Sequence, residues 1–463
     1  MLTLILILFV IGYLAIALEH PLKVDKTASA LLLGMLLWVL YAIGADQIIP
    51  VAAGEHFNNF LNDHPELAGK SLHAQALEYI LNVDIIEHLG DICQTILFLL
   101  GAMTIVELID VHGGFKVITD RIVTRKKKTL LWVIAWVTFF LSAILDNLTT
   151  TIVMLMLLRK LIDDQHERWL YAAAIILSAN SGGAWSPIGD VTTIMLWVKG
   201  NVTVNALIMY VLLPSIVSMV LPVYLLSRRI KGELPALKVD ETINPDISPR
   251  ERSVMFYLGV IGLIFVPVFK TITHLPPFIG ILLVLGALWT FTECFYNGKK
   301  LLRSKEHRLP KVISRIDMPS ILFFLGILMA VAVLQSTGIL HEIAQFLDEK
   351  IHNIFFINSL LGVLSSIVDN VPMVAGVMGM YPVEAADATG YAANFIVDGH
   401  FWGLLSFCAG VGGSILIIGS AAGVIAMGLE KINFGWYLKN VSWLAFLGYA
   451  AGILIYFLEH QLF

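Results

Sequence analysis

An apolar run of about thirty residues between Lys128 and Lys160 carries cations at both ends: Arg125, Lys126 and Lys127 lead into it, and Arg159 and Arg168 follow. Short Lys/Arg-rich loops stay on the cytoplasmic side of a bilayer, so a simple span should be basic at one end only. The economical solution is a re-entrant hairpin of two helices that turns back at Asp146-Asn147. Non-helical backbone at that depth is tolerated only where protein or a water-filled cavity surrounds it. A turn of this kind is a natural place for an ion site.

Composition gives the hairpin its setting. Of 463 residues, 58% are hydrophobic and 14% charged, with a mean hydropathy of +0.82, against about 25% charged in soluble domains. The chain therefore reads as an all-α polytopic membrane protein whose main partner is the lipid bilayer. The net charge of -5 and the placement of the cations in short loops give no reason to expect nucleic acid. Cys93, Cys294 and Cys408 show no paired or metal-type spacing. Residues 1–18 lack a basic n-region and a small-residue cleavage site, so they read as a first span.

Ten runs are near the length that crosses about 30 Å of hydrocarbon: 1–18, 27–46, 91–111, 170–197, 203–227, 253–270, 278–297, 318–337, 401–428 and 434–458. Runs 129–158 and 353–380 are the two hairpins. Cytoplasmic placement of Lys23, Lys26, Arg228, Arg229 and the basic segment 298–315 puts both termini outside, periplasmic in a bacterial inner membrane. Loop 51–90 then lies outside with a short surface helix.

Five spans and a hairpin, used twice, give inverted repeats, because an odd number of crossings turns the second copy over. The first repeat is 1–232, a cytoplasmic linker is 233–252, and the second repeat is 253–463. Gly101 and Gly113 return as Gly326 and Gly338 at an offset of 225, Asp146-Asn147 as Asp369-Asn370 at 223, and Gly182-Gly183 with Gly189 as Gly412-Gly413 with Gly419 at 230.

After each hairpin comes a span interrupted by glycine, around 170–197 and 401–428. Interruptions of this density free carbonyl oxygens and aim half-helix ends at a ligand, and a hard cation wants oxygen ligands. Asp146, Asn147, Thr149 and Thr150 are expected to face Asn180, Asp190, Thr192 and Thr193. Ser365, Asp369 and Asn370 are expected to face Ser414 and Ser420, in a separate or a shared site. A carboxylate in a span costs roughly 2.5–3.5 kcal/mol, so Asp146 and Asp369 read as the groups that carry the chemistry. The structural alternative is that they cap half-helices.

These residues carry a resemblance. The two Asp-Asn tips, Ser178-Ala179-Asn180-Ser181-Gly182-Gly183 with Asp190-Val191-Thr192-Thr193, and Gly410-Val411-Gly412-Gly413-Ser414 are similar to the NhaD-type sodium/proton antiporters of the ion transporter superfamily. The resemblance implies a dimerising scaffold domain, a transport domain holding the hairpins, elevator-type movement, and exchange of cytoplasmic Na⁺ or Li⁺ for external H⁺ without a cofactor. Aspartate at both tips departs from the neutral tips of relatives that carry carboxylates or arsenite. A sodium-coupled symporter of a small anion such as a dicarboxylate, or an arsenite-type permease, is the alternative transporter. An intramembrane aspartyl hydrolase would need a substrate gate and a defined water that nothing here supplies.

Overall fold

A computed structural model describes residues 1–17, 19–119, 124–234, 248–297, 309–367 and 370–462. Among them there is no β-strand, only the isolated bridges Lys126 to Glu233 and Glu384 to Ile396. Among the described residues eight helices are long and apolar enough to cross a bilayer. The chain is an all-α polytopic membrane protein.

The first helices are α1 (Leu2–Ala17) and α2 (Lys26–Ile43), and the third span is α3 (Ile85–Val111). Loop 51–90 holds more structure than the one surface helix expected. Helices cover Ala45–Ala52, Gly54–Asp63 and Leu72–Tyr79, and a π turn over Ile80–Asp84 joins the last to α3. The third span therefore begins well before residue 91, because Asp84 and Glu87 interrupt hydropathy without interrupting the helix.

The first hairpin is α4 (Lys127–Leu145) and α5 (Asn147–Leu161), broken at Asp146. The glycine-interrupted span that follows is α6 (Gln165–Ala184) and α7 (Val191–Lys199). Helices α8 (Val204–Ser227), α9 (Pro249–Thr273), α10 (Pro277–Asn297), α11 (Met318–Ser336) and α12 (Ile339–Lys350) come next. The run 353–380, expected as the second hairpin, holds helices α13 (Ile354–Ser365) and α14 (Asn370–Met380), and the second interrupted span is α15 (His400–Gly412) and α16 (Ala421–Glu430). The chain closes with α17 (Trp443–Leu462). Gly113 and Gly338, which end α3 and α11 in the two halves, both take positive φ, at 66° and 77°. That conformation stops a helix at little cost only when the residue is glycine.

By contacts the chain forms two compact units, each drawn from both halves of the sequence. The first is Met1–Ile96, Asp317–Asn353 and Val371–Val383. Within it α2 lies along α11: Gly34 sits against the Gly326 carbonyl, and the Trp38 Nε1 donates to the Met329 oxygen at 3.0 Å. Small residues at a seam let helix backbones approach closely in a membrane protein. The second unit is Leu97–Ile316, Ile354–Asn370 and Glu384–Phe463. It contains the first hairpin, α13 and both interrupted spans.

Candidate functional site

The interrupted spans are built around close backbone approach. A Cβ on Gly182 would collide with the Phe139 carbonyl oxygen, and one on Gly412 with that of Gly362, at equivalent places in the two hairpins. The Ser142 hydroxyl donates to the Ala179 oxygen at 2.6 Å, and the Ser365 hydroxyl repeats the bond to Ala409 at 3.0 Å. Hairpin and broken helix are thus docked alike in both modules, at the offsets of 223 and 230 seen in the sequence.

The docking brings a buried polar network together. Asp190, 1% exposed, begins α7. Its Oδ1 accepts from the Thr192 backbone N–H (2.9 Å) and hydroxyl (2.8 Å). Its Oδ2 accepts from Asn147 Nδ2 at 2.6 Å. Asn370 Nδ2 lies 3.4 and 3.5 Å from the two carboxylate oxygens. Asn147 and Asn370 therefore converge on one carboxylate.

Asn180 extends the network into the other module. Its Oδ1 accepts from Asn147 Nδ2 at 3.2 Å, and its Nδ2 donates to the hydroxyls of Ser414 (2.9 Å) and Ser420 (2.8 Å). Ser420 caps α16 by accepting from the Gly423 N–H at 3.2 Å. It stands where Asp190 stands in the first module, at the offset of 230.

Several expected ligands are used differently. Asp146 accepts from the Thr149 N–H (2.8 Å) and hydroxyl (3.0 Å), so it caps α5 and engages Thr149. It does so at φ 86°, ψ 159°, a backbone state that costs a non-glycine residue about 1–3 kcal/mol and concentrates at functional sites. Thr193 gives its hydroxyl to the Asp190 carbonyl at 2.7 Å. Among the described residues the buried Thr150 hydroxyl has no partner. Ser365 fastens hairpin to helix, and Asn370 reaches Asp190, so neither meets Ser414 or Ser420 as expected; the pairing crosses between modules because Asn180 takes both serines. Asp369 lies outside the described residues.

Sequence reasoning missed Glu430. Its side chain is fully buried at the end of α16, between Arg159 Nε at 2.6 Å and Arg168 Nε at 2.7 Å. Both arginines had been read only as cations that orient the chain. An acid ending an apolar half-helix, with unpaired arginines after the hairpin, was the available signal. Among the described residues no group of three or more His, Cys, Asp or Glu could hold a metal ion. The network gathers amides, hydroxyls and the Asp190 carboxylate into one buried cluster.

Half-helices that begin or end on a buried polar knot are how a polytopic transporter handles a polar cargo without exposing backbone to lipid, and the chain is a membrane transporter, not an enzyme. It belongs to the NhaD-type sodium/proton antiporters, within the family whose model is described as citrate transporter and matches residues 6–397. It is similar to sodium/proton antiporter 1 of Arabidopsis thaliana, with 45% identity over 98% of this chain and 72% of the relative. Sodium/proton antiporter 2 of the same plant is 43% identical over 98% and 99% of the two chains. The Na(+)/H(+) antiporter NhaD of Vibrio cholerae is 29% identical over 99% and 92%.

Proposed function

We propose that the chain exchanges cytoplasmic Na⁺, or Li⁺, for external H⁺ by competition for buried carboxylate, with Asp190 as the centre of the site. The observation that carries this reading is the convergence of both tip asparagines and Thr192 on the single Asp190 carboxylate. The names of the relatives supply the ions. A buried carboxylate is tolerated either protonated or paired with a cation, so each ion displaces the other. If only the loaded forms cross, exchange is obligatory. Asn147, Asn180, Asn370, Thr192, Ser414 and Ser420 would lend oxygens to the desolvated ion. Asp146 and Asp369, at the two tips, are the further carboxylates of the exchange, and Thr149, Thr150, Thr193 and Ser365 shape the backbone around it.

The repeat of the docking contacts supports inverted repeats, 1–232 and 253–463 about the linker 233–252. Alternating access by elevator-type movement, a homodimer, and a bacterial inner membrane with periplasmic termini belong to the same proposal. The family model's description favours a second reading, sodium-coupled uptake of a citrate-like anion. Among the described residues, the network around Asp190 and Asn180 contains no Lys or Arg to receive such an anion.

Everted vesicles from cells lacking other sodium/proton exchangers test the proposal. They are energised, a ΔpH dye is followed while NaCl, LiCl or KCl is added at several pH values, and labelled citrate uptake is measured in parallel. Prompt collapse of ΔpH on NaCl or LiCl, with no citrate uptake, is the expected result. Sodium-stimulated citrate uptake without ΔpH collapse would overturn it.

A further inference from the structure

Three helices run from the polar network to a second knot on Glu430. Helix α5 has Asn147 at its network end and Arg159 near its other end. Helix α6 has Asn180 at the network end and Gln165, Arg168 and Trp169 at its start. Helix α16 is capped by Ser420 at the network and finishes at Glu430. At 1.5 Å per residue Arg159, Arg168 and Glu430 lie about 15–18 Å along their helices from Asn147, Asn180 and Ser420.

The far knot is fully made. Arg159 Nε and Arg168 Nε each donate to one Glu430 carboxylate oxygen. Gln165 Nε2 and Trp169 Nε1 both donate to the Glu430 carbonyl at 3.0 Å, and Arg159 Nη2 donates to the Leu429 carbonyl. These carbonyls close the C-terminal end of α16, where a helix leaves acceptors without intrahelical donors and favours cations. The Glu430 side chain is fully buried, whereas those of Arg168 and Arg159 are 16% and 44% exposed. Removing one partner of such a group leaves an uncompensated buried charge.

We infer that Glu430 is a positioning residue for the ion site: by tying the far ends of α5, α6 and α16 together, it fixes the register in which Asn147, Asn180 and Ser420 meet, and keeps the three helices one rigid body through the transport cycle. This rests on the sodium/proton reading for its transport readout only. Register is the quantity at stake because the network bonds are short and side-chain mediated. A small slide of α16 along α6 would carry Ser420 away from the Asn180 amide while leaving both helices intact.

The test compares full-length wild type with Glu430→Gln, each reconstituted in proteoliposomes and also followed by amide hydrogen exchange. Glu430→Gln is expected to raise half-saturating Na⁺ about tenfold, the size of coupling that packed networks carry, with maximal rate less affected. It should also lose exchange protection at 178–184 and 413–423. Unchanged half-saturation, with lost protection confined to 159–169 and 429–431, would overturn the inference and leave the knot a local staple. If wild type shows no sodium-dependent exchange, the functional reading fails and the hydrogen-exchange pattern alone decides. Should Glu430→Gln not fold, Arg159→Cys with Leu429→Cys, in a background without Cys93, Cys294 and Cys408, is assayed before and after a bifunctional thiol cross-linker. Recovery of wild-type half-saturation on cross-linking supports a rigid seam; transport that stops on cross-linking overturns it.

Discussion

The two hairpin and broken-helix modules share a backbone plan and differ in chemistry. Ser142 and Ser365 make the same hydroxyl-to-carbonyl bond, and Gly182 and Gly412 allow the same close approach. Yet the residue that caps the second half-helix is Asp190 in one module and Ser420 in the other, and Asn180 has Gly410 as its counterpart. The shared contacts are those of the backbone, and divergence at a few positions places the Asp190 carboxylate opposite neutral side chains. Two equal carboxylates facing each other would repel when both are ionised; a serine in the second module avoids that while keeping a cap.

The comparison breaks most readily at its charged member. Asp190→Asn should abolish exchange, whereas Ser420→Ala should retain it with weaker sodium affinity; equal loss from both, measured as dye-reported ΔpH collapse, would deny the asymmetry. Next in size is Asn180→Ala. It leaves the Ser414 and Ser420 hydroxyls and the Asn147 amide short of a partner, at about 1–3 kcal/mol per buried orphan, and should raise half-saturating Na⁺ in a flux assay by at least as much as loss of either serine.

The modules should respond alike where the scaffold is concerned. Gly182→Ala and Gly412→Ala each drive a methyl into a carbonyl oxygen, and both should lower the melting temperature of the purified protein by similar amounts. A large difference between them would show that the docking is not equivalent. The smallest effect on stability is expected of Asp146→Asn, with exchange slowed but retained. Asparagine caps a helix about as well as aspartate, so stability should change by less than about 1 kcal/mol. Complete loss of transport in that variant, with stability retained, would give Asp146 the central charge instead of Asp190.

Much of the fold could be read from hydropathy and cations. The interrupted span expected near 170–197 is α6 with α7, and the Asp146 break falls where the doubly basic run required a turn. Asp317 caps α11, accepting from the Ser320 N–H at 3.4 Å. The pairing across modules could not be read, because local pattern does not say that Asn180 will prefer two serines 234 and 240 residues away. Contact-based units cut across the halves for the same reason: α2 and α11 belong to one unit although 291 residues separate Trp38 from Met329. Glu430 escaped notice because a terminal acid beside Lys431 looks like an interfacial charge until its arginines are seen.

Competition for one carboxylate is tested most directly by the pH dependence of half-saturating Na⁺ in proteoliposomes, with wild type, Ser420→Ala and Asp190→Asn side by side. A proton that occupies the sodium site must be displaced, so half-saturating Na⁺ should rise as pH falls in wild type and in parallel in Ser420→Ala, by up to about tenfold per pH unit, with no sodium response from Asp190→Asn. Half-saturation that stays level across pH while the maximal rate alone changes would contradict competition and place the proton elsewhere.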